Sequence, residues 1–426
     1  MKVTIIAAGS VGDIQPCVVL GKGLQRSGFR VTLAAPVDFA DLINENDLDF
    51  YPMRGDVQRI MAGETGRQFM ERGGANPIGS IRAIRKMVGP VILPMIEDAY
   101  EACSAADAVI CLGVFGAFGQ SIAEARHIPI FHIEPTPLLP TRDFPAPSWP
   151  IQRNLGGIHN YLSGQAMLRV IWLWYRPYVQ QFRIRLGLVP SSFDRFLSAF
   201  RSTPMLSAYS PSIIPRPADW PVTFHVTGYL FLDDAAAWRP PPELIDFLDS
   251  GPPPIYFGFG SMAGRQPQRL ARCIIEALDA IGRRGVLLTG WGGLRPESLP
   301  DHVFLLDYAP HGWLFPRMAA VVHHGGAGTT AAGLRAGVPT VTVPFVLDQP
   351  FWGARIKQLG LGPAPIPQQK LTADKLAGAL KTALDPAITR RARVIGAAIR
   401  AEKGAAKAVE IVEQYLGQPS AAKVYS

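Results

Sequence analysis

The chain has 426 residues, which exceeds the size at which a single hydrophobic core usually stops growing, so two domains are expected. Its 48% hydrophobic and 18% charged residues are typical of a globular protein, and no apolar run approaches the roughly 20 residues of a membrane-spanning helix. The net charge of +8 suits an anionic ligand or an anionic membrane surface. The sequence lacks the basic runs and motifs of nucleic-acid-binding proteins, so we expect no nucleic-acid partner.

The first residues predict a buried strand rather than a secretion signal, because the apolar stretch over 3–8 is short and runs directly into a glycine loop. A helix over 16–27 and a strand over 30–34 follow. This order predicts a right-handed βαβ unit and a parallel sheet. Further apolar runs extend the sheet at 108–112 and 129–133. We therefore expect a cytoplasmic protein whose first domain comprises residues 1–215.

The loop after the first strand carries a candidate catalytic residue. It reads Gly9-Ser10-Val11-Gly12-Asp13-Ile14-Gln15-Pro16, and a proline fits the first turn of the helix that follows. Asp13 therefore lies at the carboxyl end of a strand, where doubly wound sheets bind their ligands. The residues alone leave two roles open for Asp13: a cap of the helix, which is common for aspartate, or a catalytic carboxylate.

An apolar and aromatic stretch covers residues 155–185. Such a stripe on a helix is usually part of the domain core. The alternatives are a pocket for a flat hydrophobic acceptor and a membrane-facing helix with aromatic and basic residues, which leaves peripheral membrane association open. The candidate acceptor-binding residues are Ile158, Tyr161, Met167, Trp172 and Trp174.

A proline-rich segment over 216–242 separates the two halves and has the composition of a linker. In the second domain, over 243–404, short apolar runs alternate with helical patterns; the runs lie at 254–259, 285–288, 303–305, 320–322 and 340–343. This alternation predicts a second parallel sheet. The expected fold class is α/β, with two doubly wound, Rossmann-like domains of parallel sheet.

The most informative motif lies within residues 320–352, where a strand, a glycine turn and a helix follow one another. The turn reads His323-His324-Gly325-Gly326-Ala327-Gly328-Thr329-Thr330, and Asp348-Gln349 come after the next strand. Glycines let the backbone approach a ligand, and the free N–H groups at a helix start suit a diphosphate. An ordinary strand–helix connection is the alternative. The adjacent carboxylate and amide favour a binding site, because together they can hold several hydroxyls of a sugar.

These residues, with Leu334-Arg335-Ala336-Gly337-Val338-Pro339-Thr340, resemble the donor-binding signature of the family 1 glycosyltransferases. The resemblance is strongest to the sterol 3-β-glucosyltransferases, with the glycopeptide-antibiotic glycosyltransferases as relatives, and it spans nearly the whole chain. It implies the GT-B architecture, in which two doubly wound domains face each other across a cleft. A C-terminal helix within 405–426 would complete the first domain. The chemistry implied is inverting and metal-independent, with a nucleotide-sugar donor and no cofactor.

The resemblance assigns roles around the diphosphate. The Gly12-Asp13-x-x-Pro16 loop matches the one that carries the proposed general base, which makes Asp13 the catalytic candidate. His323 matches the histidine that contacts the diphosphate, while His324 is expected to face the core. Ser261 matches a serine that contacts the phosphates. The remaining residues expected at the diphosphate form the glycine turn and are Gly325, Gly326, Ala327, Gly328 and Thr329.

At the other parts of the donor, the resemblance places Pro310 and His311 in the segment that holds the nucleobase, and Trp291 offers a surface on which a base could stack. The residues that match those gripping the sugar are Asp348 and Gln349. Plant relatives hold the ribose with a glutamate where this chain has Ala331. The choice between UDP and dTDP therefore stays open.

The sequence thus predicts a UDP-glycosyltransferase that moves glucose from UDP-glucose to the hydroxyl of a sterol-like or other lipophilic acceptor. A natural-product glycosyltransferase that uses a UDP- or dTDP-sugar shares every motif, and a nucleotide-sugar epimerase shares the fold. A nicotinamide-dependent oxidoreductase is disfavoured, because the loop after the first strand lacks the third glycine of the dinucleotide motif. We interpret Asp47-Leu48-Asp49 as solvated turn residues, so no metal site is expected.

Overall fold

The computed structural model describes residues 1–55, 63, 66, 77–232, 238–260, 267–290, 294, 296 and 298–417. Over these residues the chain forms two sheets, and every pair of neighbouring strands is parallel. The expected fold class, α/β with two doubly wound parallel-sheet domains, is confirmed. Among the described residues, no helix combines the length and the apolar character that crossing a membrane requires.

The first sheet consists of β1 (Lys2–Ile6), β2 (Arg30–Pro36), β3 (Asp49–Met53), β4 (Ala108–Leu112), β5 (Ile130–Glu134), β6 (Met205–Ser207) and β7 (Phe224–Val226). The helices in this part of the structure are α1 (Val11–Arg26), α2 (Ala40–Asn44), α3 (Pro77–Ala102), α4 (Gly116–Arg126), α5 (Gly157–Arg185) and α6 (Phe193–Ser202). In space the strands follow the order β3-β2-β1-β4-β5-β6-β7, so the direction of strand addition reverses between β1 and β4.

The second sheet consists of β8 (Ile255–Gly258), β9 (Gly285–Leu288), β10 (Val303–Leu306), β11 (Ala320–His323) and β12 (Thr340–Thr342). The helices described from this point to the C-terminus are α7 (Pro242–Asp249), α8 (Pro267–Asp279), α9 (His311–Leu314), α10 (Ala327–Ala336), α11 (Gln349–Gln358), α12 (Ala373–Ala383), α13 (Pro386–Ala401) and α14 (Gly404–Gly417). The strand order β10-β9-β8-β11-β12 reverses between β8 and β11.

Both faces of the first sheet are covered, which explains why its strands are continuous apolar runs. Side chains of β1 alternate between two core clusters. Val3 and Ile5 pack with Leu20 of α1 in one cluster. Ile6 packs on the opposite face, in the cluster that contains Ile96 of α3.

The segment over 216–242, expected to be a linker, also contributes to the first sheet. Its residues Phe224–Val226 form β7 beside β6, so this part of the predicted linker is reassigned to the first domain. The prolines lie outside the strand, where a missing N–H costs no sheet hydrogen bond. The Arg216 guanidinium donates to the carbonyl oxygens of Trp220 at 2.8 Å and Phe224 at 2.9 Å, which holds this proline-rich turn against the sheet.

The last helix, α14, returns to the first domain. Its buried Ala408 and Val412 belong to the same core cluster as the inner face of α1. Lys407 Nζ donates to the Val226 carbonyl oxygen at 2.8 Å, and the Tyr415 ring lies edge-on to Phe131 with 6.1 Å between centroids. The chain therefore crosses between the domains twice.

A buried ion pair ties α5 to α4, and its removal should weaken the fold. Arg183 is 3% exposed and makes a two-pronged contact with Glu124, at 2.8 and 3.0 Å. We expect Arg183→Leu to lower the free energy of unfolding by about 3 kcal/mol, because the Glu124 carboxylate loses its buried partner. Urea denaturation measures this loss.

Arg195→Leu is the matched control for that variant. Arg195 contacts the same Glu124 carboxylate at 2.9 Å, but its side chain is 49% exposed, so its loss should cost about 1 kcal/mol or less. Equal destabilisation by the two substitutions would contradict the importance assigned to burial.

Candidate active site

The carboxyl ends of the two sheets face each other where both strand orders reverse. In doubly wound sheets such reversals open the crevice in which ligands bind. The loop after β1 and the start of α10 touch, since a Cβ on Gly328 would lie 3.3 Å from the Gly12 Cα. Beside this contact, Thr136 of the first domain donates a hydrogen bond to Asp348 Oδ2 of the second at 3.0 Å.

The glycine turn before α10 leaves the start of that helix uncapped by any side chain. Gly325 has a φ of +91°, which favours glycine, and a Cβ on Gly326 would clash with the His324 ring. The exposed Gly328 lies in the first turn of the helix. Backbone N–H groups and the positive end of the helix dipole therefore point to the contact between the domains, an arrangement that suits a diphosphate.

The two histidines of the turn differ in how far they are buried, and the exposure of His324 differs from the expectation. His323 is the last residue of β11 and is fully buried, whereas His324 is partly exposed. The expectation that His324 faces the core is therefore corrected. The strand directs His323 into the interior, and the turn at Gly325 leaves the next ring lying over the glycines.

The protonation of both rings follows from their surroundings. His323 Nδ1 accepts the Gly325 N–H at 2.9 Å, so its proton lies on Nε2, which has no hydrogen-bond partner among the described residues. Burial lowers the pKa of His323 well below its ordinary value. Burial and the nearby His311 lower the pKa of His324 to about 4. Both imidazoles are thus neutral at neutral pH and can each donate one hydrogen bond.

Asp348 and Gln349, the pair expected to bind the sugar, have different surroundings in the structure. Asp348 is partly exposed, and its Oδ2 accepts from Thr136 and from Trp352 Nε1, the latter at 2.8 Å. Gln349 is 4% exposed, and its Oε1 accepts the backbone N–H groups of the preceding loop at Phe345 and Val346, at 2.7 and 3.1 Å. The Gln349 oxygen therefore holds the loop in place, and the carboxylate beside it faces the cleft.

Of the two roles that the sequence left open for Asp13, the structure shows the helix cap, and the catalytic role stays a prediction. The helix α1 begins at Val11, five residues before the predicted start, because the Asp13 carboxylate caps it: Oδ2 accepts from Ser10 N at 2.7 Å and from Ser10 Oγ at 2.8 Å. Pro16 consequently lies inside the helix. A Cβ on Gly9 would clash with the carboxylate, so glycine is required there. Both capping bonds use one oxygen, and the partly exposed carboxylate still borders the cleft.

Burial raises the pKa of Asp13 above its ordinary value, and the nearby Asp348 adds to that rise. The two hydrogen bonds from Ser10 act in the opposite direction, because they stabilise the ionised form. A carboxylate with a raised pKa is a stronger base than a free aspartate. Asp13 is therefore suited to accept a proton at neutral pH.

Sequence reasoning missed Glu134, the last residue of β5. Its side chain is 4% exposed, and its Oε1 has no hydrogen-bond partner among the described residues. Burial, followed by the charge of Asp13, raises the pKa of Glu134 well above its ordinary value. The available signal was a carboxylate that ends an otherwise apolar strand.

The structure describes the segment that is expected to hold the nucleobase. Pro310 immediately precedes α9, and the first residue of that helix, His311, stacks on Phe315 with 4.3 Å between ring centroids. Burial lowers the pKa of His311 to about 4. The predicted contacts at Ser261 and Trp291 lie outside the described residues.

The five candidate acceptor residues do not form one surface. Trp172 is 5% exposed and stacks on Phe196 with 5.1 Å between ring centroids, so it belongs to the core and not to an acceptor pocket. Trp174 is partly buried against Tyr175. Ile158 lies in the first turn of α5 and is 74% exposed. It lies about four turns before Trp172, on nearly the same side of the helix, so the difference in exposure depends on which elements pack along α5, and the sequence pattern does not show this. The remaining two, both partly exposed, are Tyr161 and Met167.

Asp47 lies in the turn before β3 and Asp49 is the first residue of that strand, and both are exposed. Within the described ranges, no three or more His, Cys, Asp or Glu side chains are grouped closely enough to hold a metal ion.

Two family models match the two halves of the chain. Residues 3–145 match the glycosyltransferase family 28 N-terminal domain. Residues 292–416 match the erythromycin biosynthesis protein CIII-like C-terminal domain.

Individual relatives fall into two groups. Two sterol 3-beta-glucosyltransferases of Arabidopsis thaliana are 35% and 38% identical over 98% and 99% of this chain, which spans 68% and 66% of their length. The O-mycaminosyltylonolide 6-deoxyallosyltransferase of Streptomyces fradiae is 37% identical over 97% of each chain. The chain therefore spans about two thirds of the plant relatives and nearly all of the bacterial one.

Solved structures show the same architecture. The glycosyltransferase of kitacinnamycin superposes with a TM-score of 0.73 at 19% identity, covering 97% of this chain and 98% of that one. The calicheamicin glycosyltransferase CalG4 has a TM-score of 0.71 at 18% identity, covering 98% and 99%. The glycosyltransferase VinC, solved with dTDP, has a TM-score of 0.65 at 19% identity, covering 97% and 100%. The chain therefore belongs to the GT-B glycosyltransferases, as a nucleotide-sugar-dependent enzyme that acts on a small-molecule acceptor.

Proposed function

We propose that the protein transfers glucose from UDP-glucose to the hydroxyl of a sterol-like or other lipophilic alcohol, with inversion at the anomeric carbon and without a metal ion. One observation carries the proposal: the Asp13 loop of the first domain touches the uncapped start of α10 in the second, at Gly12 and Gly328. A base and an anion-binding helix end are thereby brought to the same point of the cleft. The sterol 3-beta-glucosyltransferase relatives support the choice of donor and acceptor.

The reaction needs one base and one stabilised leaving group. Asp13 takes the proton of the acceptor hydroxyl while the acceptor oxygen forms a bond to the anomeric carbon. The bond from that carbon to the diphosphate breaks, and its electron pair leaves with the diphosphate. The N–H groups at the start of α10 stabilise the charge that develops there. A single displacement from the face opposite the diphosphate inverts the anomeric centre.

The side chains around the donor have separate tasks. The partly exposed His324 lies over the glycine turn and donates a hydrogen bond to the diphosphate. The Asp348 carboxylate accepts hydrogen bonds from sugar hydroxyls, replacing the one that Thr136 now supplies. The fully buried His323 supports the turn through its hydrogen bond with Gly325.

Substituting each histidine in turn should separate a role in UDP binding from a role in the stability of the glycine turn. His324→Ala should weaken UDP binding about tenfold, because it removes one hydrogen bond to a charged group. His323→Ala should instead lower the melting temperature, since it leaves the Gly325 N–H unpaired and opens a cavity. Calorimetric titration with UDP and a thermal melt measure the two effects. The opposite pattern, with UDP affinity lost only in His323→Ala, would return the diphosphate contact to His323.

A second candidate function is transfer from a UDP- or dTDP-sugar to a polyketide, macrolide or glycopeptide acceptor. The macrolide-modifying relative matches nearly the full length of this chain, and VinC was solved with dTDP. The buried Ala331 leaves no side chain at that position to hold a ribose hydroxyl, which gives no preference between the two nucleotides. A nucleotide-sugar epimerase of the same fold would need no acceptor.

A product screen decides among these functions. The protein is incubated with UDP-glucose or dTDP-glucose and a mixed library of sterols and macrolide aglycones, and products are analysed by mass. The proposal predicts a sterol that gains one hexose from UDP-glucose. A glycosylated macrolide formed from the dTDP-sugar would favour the second candidate. An altered free sugar nucleotide without any glycoside would indicate an epimerase.

A further inference from the structure

Three carboxyl groups lie at the carboxyl ends of strands around the cleft, and they cannot all be ionised beside a diphosphate. Asp13 follows β1, Glu134 ends β5 and Asp348 follows β12. The charge of Asp13 acts on Glu134, and that of Asp348 acts on Asp13. Like charges that interact in a buried site keep at least one member protonated.

The hydrogen-bond donors around each carboxyl group indicate which one holds the proton. Asp13 receives two hydrogen bonds from Ser10, and Asp348 receives two from Thr136 and Trp352. Donors of this kind stabilise the ionised form. Glu134 interacts with one backbone N–H, that of Gly113, while its Oε1 has no partner among the described residues. Glu134 is therefore the protonated member.

No cation among the described groups that interact with Glu134 could stabilise its ionised form. The titratable groups among them are Asp13 and Cys17 of α1, Cys111 of β4, Tyr175 of α5 and Tyr209 after β6. A protonated carboxyl group in such surroundings can donate one hydrogen bond and accept others.

Glu134 lies at the same edge of the first sheet as Asp13, because both are at the carboxyl ends of parallel strands. Two residues further along the chain, Thr136 contacts Asp348 on the sugar side of the cleft. On the other side lies Asp13, the proposed base. Gly113 follows β4, and a Cβ there would lie 3.7 Å from Glu134 Oε2, so a larger residue at this position would contact the carboxyl group.

We propose that Glu134 is a specificity-determining residue of the acceptor subsite, a neutral carboxylic acid that hydrogen-bonds the polar end of the acceptor and holds its hydroxyl toward Asp13. The inference rests on the proposed glycosyl transfer. Glu134 keeps its proton throughout, and the proton of the reacting hydroxyl passes to Asp13. The acceptor class it selects is an uncharged alcohol, because a neutral acid offers no ion pair to an amine.

Two substitutions at Glu134 test this assignment, with Thr203→Val as the control. Glu134→Gln keeps the size and the neutral hydrogen-bonding capacity, whereas Glu134→Leu removes the polar group. Thr203 is also buried, at 5% exposure, but it precedes β6 at the opposite end of the same sheet. The probes are UDP-glucose with cholesterol, or with the alcohol that the product screen identifies.

The Michaelis constant for the acceptor should rise about tenfold in Glu134→Leu, while that for UDP-glucose changes less than about threefold. In Glu134→Gln and Thr203→Val, the Michaelis constant for the acceptor should stay within about threefold of the wild-type value. An unchanged Michaelis constant for the acceptor in Glu134→Leu would overturn the proposal. So would a loss of UDP-glucose affinity equal to the loss of acceptor affinity, since that pattern indicates a structural role.

Infrared difference spectroscopy provides a readout that needs no turnover. At neutral pH, the wild type minus Glu134→Gln should show the carbonyl-stretch band of a protonated carboxyl group, and the band should shift when the alcohol is added with UDP. A carboxylate band in its place would overturn the proposal even if Glu134→Leu failed to fold. If the wild type transfers no sugar but shows the protonated band, the proposed function fails and the charge state of Glu134 stands.

Discussion

Replacing Asp13 with asparagine is expected to reduce kcat about 10²–10⁴-fold, the range that a general base typically contributes. The asparagine oxygen can still accept the hydrogen bonds of Ser10, so the start of α1 should remain folded. UDP affinity should remain close to that of the wild type, since the proposed mechanism places the carboxylate against the acceptor and not against the nucleotide. Steady-state kinetics together with UDP titration measure both quantities.

The pH dependence of activity provides a second test of the role of Asp13. Asp13 must be ionised to act, and its pKa is raised, so activity should be lost as the pH falls through a value above the ordinary 3.8. The control Ser10→Ala removes a donor that stabilises the ionised form, and it should move this acid limb to higher pH. Full turnover in Asp13→Asn, or an acid limb that Ser10→Ala leaves in place, would remove Asp13 from the mechanism.

Asp348→Ala should reduce kcat/KM for UDP-glucose about 100-fold or more. In the proposed donor site sugar hydroxyls donate to this carboxylate, and each hydrogen bond to a charged group contributes about 1.5–3 kcal/mol. UDP itself carries no hexose, so its affinity should change little. The comparison of UDP-glucose kinetics with UDP titration checks this difference.

Thr136→Val is the control for Asp348→Ala. It removes one present hydrogen-bond partner of Asp348 and keeps the carboxylate, so UDP-glucose turnover should fall much less than in the alanine variant. If Asp348→Ala weakened UDP and UDP-glucose equally, the carboxylate would have to be reassigned to the nucleotide.

The fold could be predicted from the sequence because strands buried on both faces are continuous apolar runs with helices between them. The glycine turn before α10 could be located for a related reason, because glycines between a strand and a helix form a recognisable pattern. The linker could not be bounded correctly, because β7 is only three residues long and lies among prolines.

The orientation of individual side chains was less predictable. The turn at Gly325 has a positive φ, and it decides which of two adjacent histidines is buried. Trp172 is buried and Ile158 is exposed although they lie about four turns apart on nearly the same side of α5, and the pattern of apolar residues does not show which part of the helix another element covers. Glu134 was missed because its importance depends on Asp13, which is distant in sequence and close only in the folded chain.

The most direct test of the account is a crystal structure of the protein with UDP-glucose. The account predicts the diphosphate at the start of α10, within hydrogen-bond distance of the backbone N–H groups of Gly328 and Thr329, with the hexose between Asp348 and Asp13. A nucleotide sugar bound elsewhere, with that helix start empty, would contradict it.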